Sequence, residues 1–220
     1  MSSKPSDRDD FLNGIEESYD RIAEEYAVRI AEELKDKPLD RELLDRFAER
    51  MKGRRQIADL GCGPAHVGGY LHDRGVDAFG IDLAPRMLEQ ARKLNPAMMF
   101  REGNMLALDL PSNSLAGIVA FYAIVNLPPE TLPRVFGEMH RILQQGGLLF
   151  LAFHVGDEVL KEEELWGHRL NMSFFLLRTQ HVKRLLEDTG FTVEEVIERE
   201  PYPEVEYQSR RAYIFAAKEV

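Results

Sequence analysis

Hydrophobic residues recur at helical spacing near the N-terminus and then contract into short runs bounded by turn residues, and that change of period organises the chain. Over 11–35, Ile15, Tyr19, Ile22, Tyr26, Val28 and Ile30 fall near one face of a helix, while Glu16, Glu17, Glu24, Glu25, Glu32 and Glu33 cover another. Pro38 then sets the first turn of a second predicted helix over 39–51. From there strands and helices alternate. Strands are predicted at 56–60, 77–81, 98–101, 115–121 and 147–153, with helices from the turn at 61–64 through His72, over 85–94 and over about 129–143. The run at 115–121 is wholly apolar, as a strand covered on both faces should be. Such alternation predicts a parallel sheet with helices on both faces.

Near the C-terminus the alternation breaks. A helix is predicted over 179–189, closed by Gly190, and a sixth strand over 191–197. The stretch 198–209 is rich in Pro and Glu and has no helical pattern, and a seventh strand follows over 211–217. A parallel crossover usually runs through a helix; without one, strands six and seven are expected to pair antiparallel. The segment 154–177, which holds Trp166 and the Phe174-Phe175 pair, is the one sizeable insertion after the sheet begins. Residues 1–10 are polar and expected to form a loose tail.

At 220 residues the chain fits a single domain, large enough to bury a core without disulfides or metals. With 44% hydrophobic and 30% charged residues it is expected to fold as an ordinary soluble protein. The longest apolar stretch, 115–125, is well short of the roughly 18 residues a membrane helix needs, and the first ten residues lack the apolar core of a secretory signal. One cysteine, Cys62, rules out an internal disulfide and any multi-cysteine metal site. These features together predict a cytoplasmic protein. The formal charge of −10 argues against a nucleic-acid partner, whose phosphates call for a basic face.

The candidate chemistry begins at Ile57-Ala58-Asp59-Leu60-Gly61-Cys62-Gly63-Pro64. Two glycines after an apolar strand and before a helix let backbone lie against a ligand. The dinucleotide fingerprint needs a third glycine at position 66, where His66 stands. Asp59, an acid at the strand end, would face a cation, which argues against a nicotinamide dinucleotide and for a ligand with a positively charged end. Asp82 closes the second strand and can accept hydrogen bonds from both hydroxyls of a ribose, or cap the helix that follows.

Around these residues the chain resembles the class I S-adenosylmethionine-dependent methyltransferases. The motifs are DLGCGPA, GIDLAPRMLEQAR, EGNMLALDLP, IVAFYAIVNL and RILQQGGLLFLAF, in that order. The resemblance is nearest to the small-molecule group, of ubiquinone-biosynthesis type, with an N-terminal Tyr-Asp-x-x-Ala-x-x-Tyr helix, here Tyr19 to Tyr26. It implies an α/β Rossmann-like sheet of seven strands in the order 3-2-1-4-5-7-6, the last antiparallel, with helices on both faces and a helical lid over 11–52. It implies S-adenosyl-L-methionine as cofactor, with Gly61, Cys62 and Gly63 facing its methionine part and Asp59 holding its ammonium. Asp82 would take the ribose, Leu83 and Met87 would flank the adenine, and Gly103, Asn104 and Met105 would follow strand three beside it. Asn104 replaces the family's usual Asp there and can accept the adenine amino hydrogen bond through its carbonyl. Phe121 and Tyr122 would lie beneath the transferable methyl, and Tyr19 and Tyr26 would close over the methionine end. Gln145 replaces the more usual Pro ahead of Gly146-Gly147, a tolerated turn variation.

Other residues take plainer readings. Cys62 is a small spacer between glycines. The histidines show no metal spacing, and His66, His72, His140 and His181 fall on predicted helices as surface or half-buried groups. His154 follows strand five at the carboxyl edge of the sheet, where α/β folds bind ligands, and with Tyr122 it is a candidate for the catalytic step, as substrate contact or proton acceptor. Trp166, Phe174 and Phe175 either pack the 154–177 insertion or line a substrate pocket, and Arg210 and Arg211 are expected as edge charges. Methyl transfer to a small molecule is the function these readings imply. The alternatives are a non-catalytic cofactor-binding protein, a methyltransferase acting on protein or RNA, and, least supported, a nicotinamide oxidoreductase. The accepting atom, any general base and the oligomeric state are not legible.

Overall fold

The first five strands of the sheet lie parallel, as the alternation predicts. The computed structural model describes residues 10–219, so the expected tail over 1–10 lies, but for the backbone of its last residue, outside the described residues. The strands are β1 (Ile57–Leu60), β2 (Ala78–Asp82), β3 (Met99–Glu102), β4 (Leu115–Phe121), β5 (Leu143–His154), β6 (Val159–Leu165), β7 (His168–Phe175), β8 (Phe191–Arg199) and β9 (Arg211–Lys218). The seven-stranded sheet runs β3-β2-β1-β4-β5-β9-β8, and β9 alone is antiparallel to its neighbours. This is the expected 3-2-1-4-5-7-6 order once the two strands of the insertion are set aside. The insertion itself, β6 and β7, forms a separate antiparallel hairpin.

Helices α1 (Asp10–Ile30), α2 (Pro38–Met51), α3 (His66–His72), α4 (Pro85–Leu94), α5 (Leu132–Ile142) and α6 (Thr179–Asp188) surround the sheet. β4 explains the layering. Its Ile118 and Ala120 enter the core shared with α5 and α6, while Val119 and Phe121 enter the core shared with α2 and α3. Each fully buried aliphatic side chain of this kind stabilises by about 1.5–3 kcal/mol, which is why β4 is apolar at every position.

Three boundaries differ from expectation. The first helix stops at Ile30, and a 3-10 turn over Glu33–Asp36 replaces its last predicted turn. Val28, expected on the buried face, is 77% exposed, and Ala23 and Ala27 are buried instead. The predicted helix over 129–143 opens as a 3-10 turn (Pro129–Thr131), and its last residue, Leu143, already belongs to β5. Arg211, expected as an edge charge, is 2% exposed. Among the described residues no helix is long and apolar enough to cross a membrane.

Candidate active site

At the carboxyl ends of β1, β2 and β4 lies a cavity with about 820 Å³ of empty space, part of it open to solvent and roofed by α1. The glycine turn forms one wall. Gly61 has φ +67°, and a Cβ there would sit 2.6 Å from Ala123 Cβ, so only glycine fits. Gly63 has φ +52°, and its missing Cβ faces open space apart from the Tyr26 ring at 3.9 Å, a cradle in which ligand can lie directly on backbone. Two residues beside the cavity, Ala65 (φ +62°) and Tyr122 (φ +55°), hold left-handed backbone without being glycine. Strain of about 1–2 kcal/mol at each is tolerated where the surrounding packing fixes the chain.

Asp82 joins that wall to the next. Its Oδ2 accepts the Gly63 N–H at 2.7 Å and its Oδ1 accepts the Ala84 N–H at 2.9 Å, at the start of α4. Asp82 therefore braces the turn into α4 without capping the helix, whose N-cap is Ala84, and each carboxylate oxygen keeps a further lone pair for a ribose. Burial raises the Asp82 pKa, and the backbone donors at Ala84 and Gly63 oppose the rise. Leu83 and Met87 continue this wall, and Gly103, Asn104 and Met105 face them. The Asn104 carbonyl already accepts the Leu106 N–H at 2.8 Å. That oxygen keeps a second lone pair, so it can still accept a hydrogen bond from a ligand, and the amide nitrogen adds a donor.

Phe121 and Tyr122 form the floor, and Tyr19 and Tyr26 reach down from α1, their rings packed edge to face at 5.8 Å. Tyr19 Oη donates to Asn126 Oδ1 at 2.8 Å, and Asn126 Nδ2 donates to the Ser173 carbonyl at 2.9 Å, so α1, the loop after β4 and β7 are tied at one point. Burial raises the pKa of both tyrosines, which stay neutral donors. Cys62 also borders the cavity, but it is 4% exposed and burial pushes its thiol well up, as a spacer requires.

Two expected residues do not reach the cavity. Asp59 is 1% exposed and sealed behind the turn, its Oδ2 accepting the Gly68 N–H at 2.9 Å. Burial raises its pKa to about 7, against the pull of His66 and of that N–H. His154 lies behind Tyr122, ring centroids 5.0 Å apart, with Nδ1 2.8 Å from Ser209 Oγ. Burial, with Arg211 and Lys37 nearby, drives its pKa down to about 3.

Conversely, His66, read as a surface or half-buried helix residue, lines the cavity with 13% of its side chain exposed. Asn126 lines it too, and its signal was a lone polar residue in the apolar run AIVNL. Asn126 and Ile15 also border a second cavity, open to solvent, between α1 and the hairpin, whose apolar lining includes Phe11, Leu170, Met172 and Phe175. Trp166 and Phe174 line neither, and Trp166 instead packs on Tyr26 at 6.2 Å and beneath Arg29 at 4.7 Å.

Behind Tyr122 sits a buried ion network. Arg199 donates to Asp40 Oδ2 at 2.8 Å and to Glu206, and Glu206 also pairs with Lys37 at 3.5 Å and Arg211 at 3.4 Å. Lys37 reaches Glu33 at 2.8 Å. Burial raises the Asp40 pKa in spite of Arg199, whereas Glu206 is held low by Arg199 despite its burial. Among the described residues no group of three or more His, Cys, Asp or Glu side chains is arranged to hold a metal ion.

The sequence profile of the family described as "Methyltransferase domain" matches residues 57–147, the segment carrying the glycine turn, Asp82 and Tyr122. The malonyl-[acyl-carrier protein] O-methyltransferase of Pectobacterium atrosepticum is 28% identical over 56% of this chain and 53% of its own length. An uncharacterized methyltransferase of Mycobacterium tuberculosis is 30% identical over 48% of this chain and 42% of its own. The chain spans about half the length of the curated relatives it matches. Among solved structures, a S-adenosylmethionine-dependent methyltransferase of Methanosarcina mazei superposes with a TM-score of 0.69 at 18% identity, covering 80% of this chain and 97% of that one, a likeness of fold. The matched segment, which carries the glycine turn, is thus a methyltransferase domain, and the sheet follows the order expected of the class I S-adenosylmethionine-dependent methyltransferases.

Proposed function

We propose that the chain transfers a methyl group from S-adenosyl-L-methionine to a small-molecule acceptor. The observation that carries this reading is the pair of cavities that share Asn126 and Ile15. One has a glycine cradle and an acid at its rim. The other, open to solvent, is walled by apolar side chains such as Phe11 and Phe175 and by polar ones such as Lys161 and Glu162 in equal measure. The cradle at Gly63 and the free lone pairs of Asp82 suit an adenosine thioether, and Asn104, Leu83, Met87 and Met105 suit its base. When bound, the cofactor supplies a methyl already activated on a sulfonium, so the protein's task is alignment and exclusion of water. Phe121 and Tyr122 set the floor on which the acceptor is aligned, and Tyr19 and Tyr26 close the roof against water. α1, α2 and the hairpin of 154–177 act as a cap whose side chains choose the acceptor.

No general base is assigned. His154 lies outside the cavity, and Tyr122 is kept protonated by burial, so an acceptor that is already deprotonated, such as a carboxylate, suits the site. Calorimetry should give micromolar binding of S-adenosylhomocysteine and none of NAD. Labelled cofactor offered to a panel of small carboxylic acids, phenols and amines should label at least one class. Tighter NAD binding, or labelling of protein or RNA alone, overturns the reading.

A further inference from the structure

Asn126 stands with Ile15 in the wall that the two cavities share, and its hydrogen bonds can run in only one sense. The Ser173 carbonyl, 2.9 Å away, can only accept, so the Asn126 amide must present its nitrogen there. Its oxygen therefore faces Tyr19, and the Tyr19 hydroxyl gives its proton to that oxygen at 2.8 Å. The reverse amide orientation would set two oxygens that only accept against each other, in a residue 6% exposed. A backbone carbonyl on the hairpin thus fixes the polarity of a hydroxyl in the cofactor cavity. Burial and the nearby Asp82 raise the Tyr19 pKa, which keeps it the neutral phenol. With its proton spent, Tyr19 Oη offers lone pairs alone. A group lying against it must have a hydrogen to donate.

The charges around the two cavities point the same way. Apart from the buried His66, their described lining residues carry three carboxylates, Asp82, Glu162 and Glu163, against one lysine, Lys161. On the hairpin, Lys161 and Glu163 are exposed and Glu162 is half-buried, so this charge meets whatever approaches from solvent. Such a lining favours a cation over an anion on approach. Among acceptors that need no base inside the site, a carboxylate has no hydrogen to give Tyr19 and meets the field of Asp82. A neutral amine has both an N–H to donate and a lone pair with which to attack.

We propose that the methyl acceptor is a primary or secondary amine whose N–H is taken by Tyr19 Oη, with Asn126 the positioning residue that keeps that oxygen an acceptor. This assignment rests on the methyltransferase reading and narrows its acceptor to one class. The ammonium gives a proton to water as it leaves solvent. The nitrogen lone pair then forms the N–C bond as the S–C bond breaks, and the pair of that bond stays on sulfur. Positive charge grows on the nitrogen in this step, so its hydrogen bond to Tyr19 Oη strengthens. The methylated ammonium passes a proton to water on leaving.

The test uses matched probes on the full chain saturated with S-adenosylhomocysteine: phenethylamine with hydrocinnamate, and hexylamine with heptanoate, each pair sharing one apolar body. Calorimetry should show each amine bound roughly tenfold or more tightly than its carboxylate, the size of one hydrogen bond to a charged group. Labelled S-adenosyl-L-methionine should label the amines alone. Their kcat/KM should rise with pH through the amine's own pKa, since only the neutral form has the lone pair. In Tyr19→Phe the binding preference should fall to about threefold or less through loss of the amine. In Asn126→Ala it should fall as far, because the freed hydroxyl can then donate to a carboxylate. S-adenosylhomocysteine binding reports whether each variant is folded. Variants that weaken both members of a pair equally, and so keep the preference, overturn the assignment and leave Asn126 a tether between elements. A wild-type preference for the carboxylates, or for neither, overturns it too, as does a flat pH profile. If no probe binds or is labelled, the amine assignment falls while S-adenosylhomocysteine binding upholds the methyltransferase reading. If S-adenosylhomocysteine itself does not bind, that reading falls as well.

Discussion

Tyr122 has a different kind of structure on each side. Toward the cavity lies the glycine turn, built from backbone: contiguous residues on one strand and turn, with Asp82 19 positions away accepting the Gly63 N–H. Away from it lies the ion network, built from side chains, in which Arg199 and Asp40 meet across 159 positions. The turn carries few charges and leaves polar groups partly free, at Asp82 and His66. The network matches its charges closely, three cationic side chains against three carboxylates across Lys37, Arg199, Arg211, Glu33, Asp40 and Glu206. The turn keeps free hydrogen-bonding groups at the cavity, whereas the network sets charge against charge and leaves only Asp40 Oδ1 and Arg211 Nε among its buried atoms without a hydrogen bond.

The sharpest way to break that contrast is to remove the hub of the network. Arg199→Ala leaves Asp40, which has no solvent exposure, without its cation. Breaking a buried pair from one side costs about 3–5 kcal/mol, far above an exposed pair. Urea denaturation should show that loss, while the folded fraction binds S-adenosylhomocysteine as before. A loss under about 1 kcal/mol would mean the network is solvated and the contrast false.

Titration offers a second test, because each region hides one misplaced titrating group. Asp59 behind the turn has its pKa raised from 3.8 to about 7, so the folded protein holds that proton more tightly than the unfolded chain. Its contribution to stability is full below about pH 3.8 and is lost as the pH rises through 7. His154 beside the network is lowered from 6.5 to about 3, so its contribution is full above 6.5 and is lost as the pH falls toward 3. Between about pH 4 and 6.5 the two slopes oppose, each at most about 1.4 kcal/mol per pH unit. Asp59→Asn should therefore leave stability rising with pH across that window, and His154→Gln should leave it falling. Parallel profiles for both variants would show that neither group is buried as the structure has it.

The same contrast explains what was legible in the sequence. Gly61, Gly63 and Asp82 announce themselves because a backbone turn needs particular residue types at fixed local spacing. The parallel sheet followed from alternation and the antiparallel last pair from a helix missing between β8 and β9, while the strand order came only with the family resemblance. The buried roles of Arg211 and Glu206 were illegible, since nothing local distinguishes a charge that meets its partner across the fold from one that meets water. Asp59 misled for a related reason: strand position gave its place along the chain, and the close approach of Gly68 decided that it faces inward. The insertion became a hairpin through cross-strand pairing, such as Leu160 with Phe174, and its mixed Lys and Glu sequence hid that alternation.

On the turn side, Asp82→Ala should weaken S-adenosylhomocysteine binding by about 1.5–3 kcal/mol, the range for hydrogen bonds to a charged group. Its bonds to Gly63 and Ala84 are lost as well, so some stability goes with them. Asp82→Asn separates the effects, because an amide oxygen can still accept one backbone N–H. Binding unchanged in Asp82→Ala with stability collapsed would put Asp82 with the network, as a brace and not a ligand group.

The smallest effect concerns α1, which belongs to neither side cleanly. Leu12, Ile15, Ile22 and Ala23 enter the core, which is what simple docking would require. Yet its hydrogen bonds to the rest of the protein run through side chains: Ser18 Oγ accepts the Asn171 N–H at 2.8 Å, Tyr19 donates to Asn126, and Asp20 accepts the Arg86 N–H at 2.8 Å. These tethers end on β7, on α4 and on the loop after β4, not on the central strands. Segments held this way open at lower free energy than a sheet, and lids are drawn from them. Amide exchange over residues 11–30 is therefore expected to be faster than in β1 and β4 of the free protein and to slow when S-adenosylhomocysteine is added. Tyr19→Phe, which removes one bond of about 1 kcal/mol, should quicken exchange in α1 and, through Asn126 and Ser173, in β7 as well. Equal and high protection with and without ligand would make α1 a fixed wall, and Tyr19 and Tyr26 would then line the cavity without closing it.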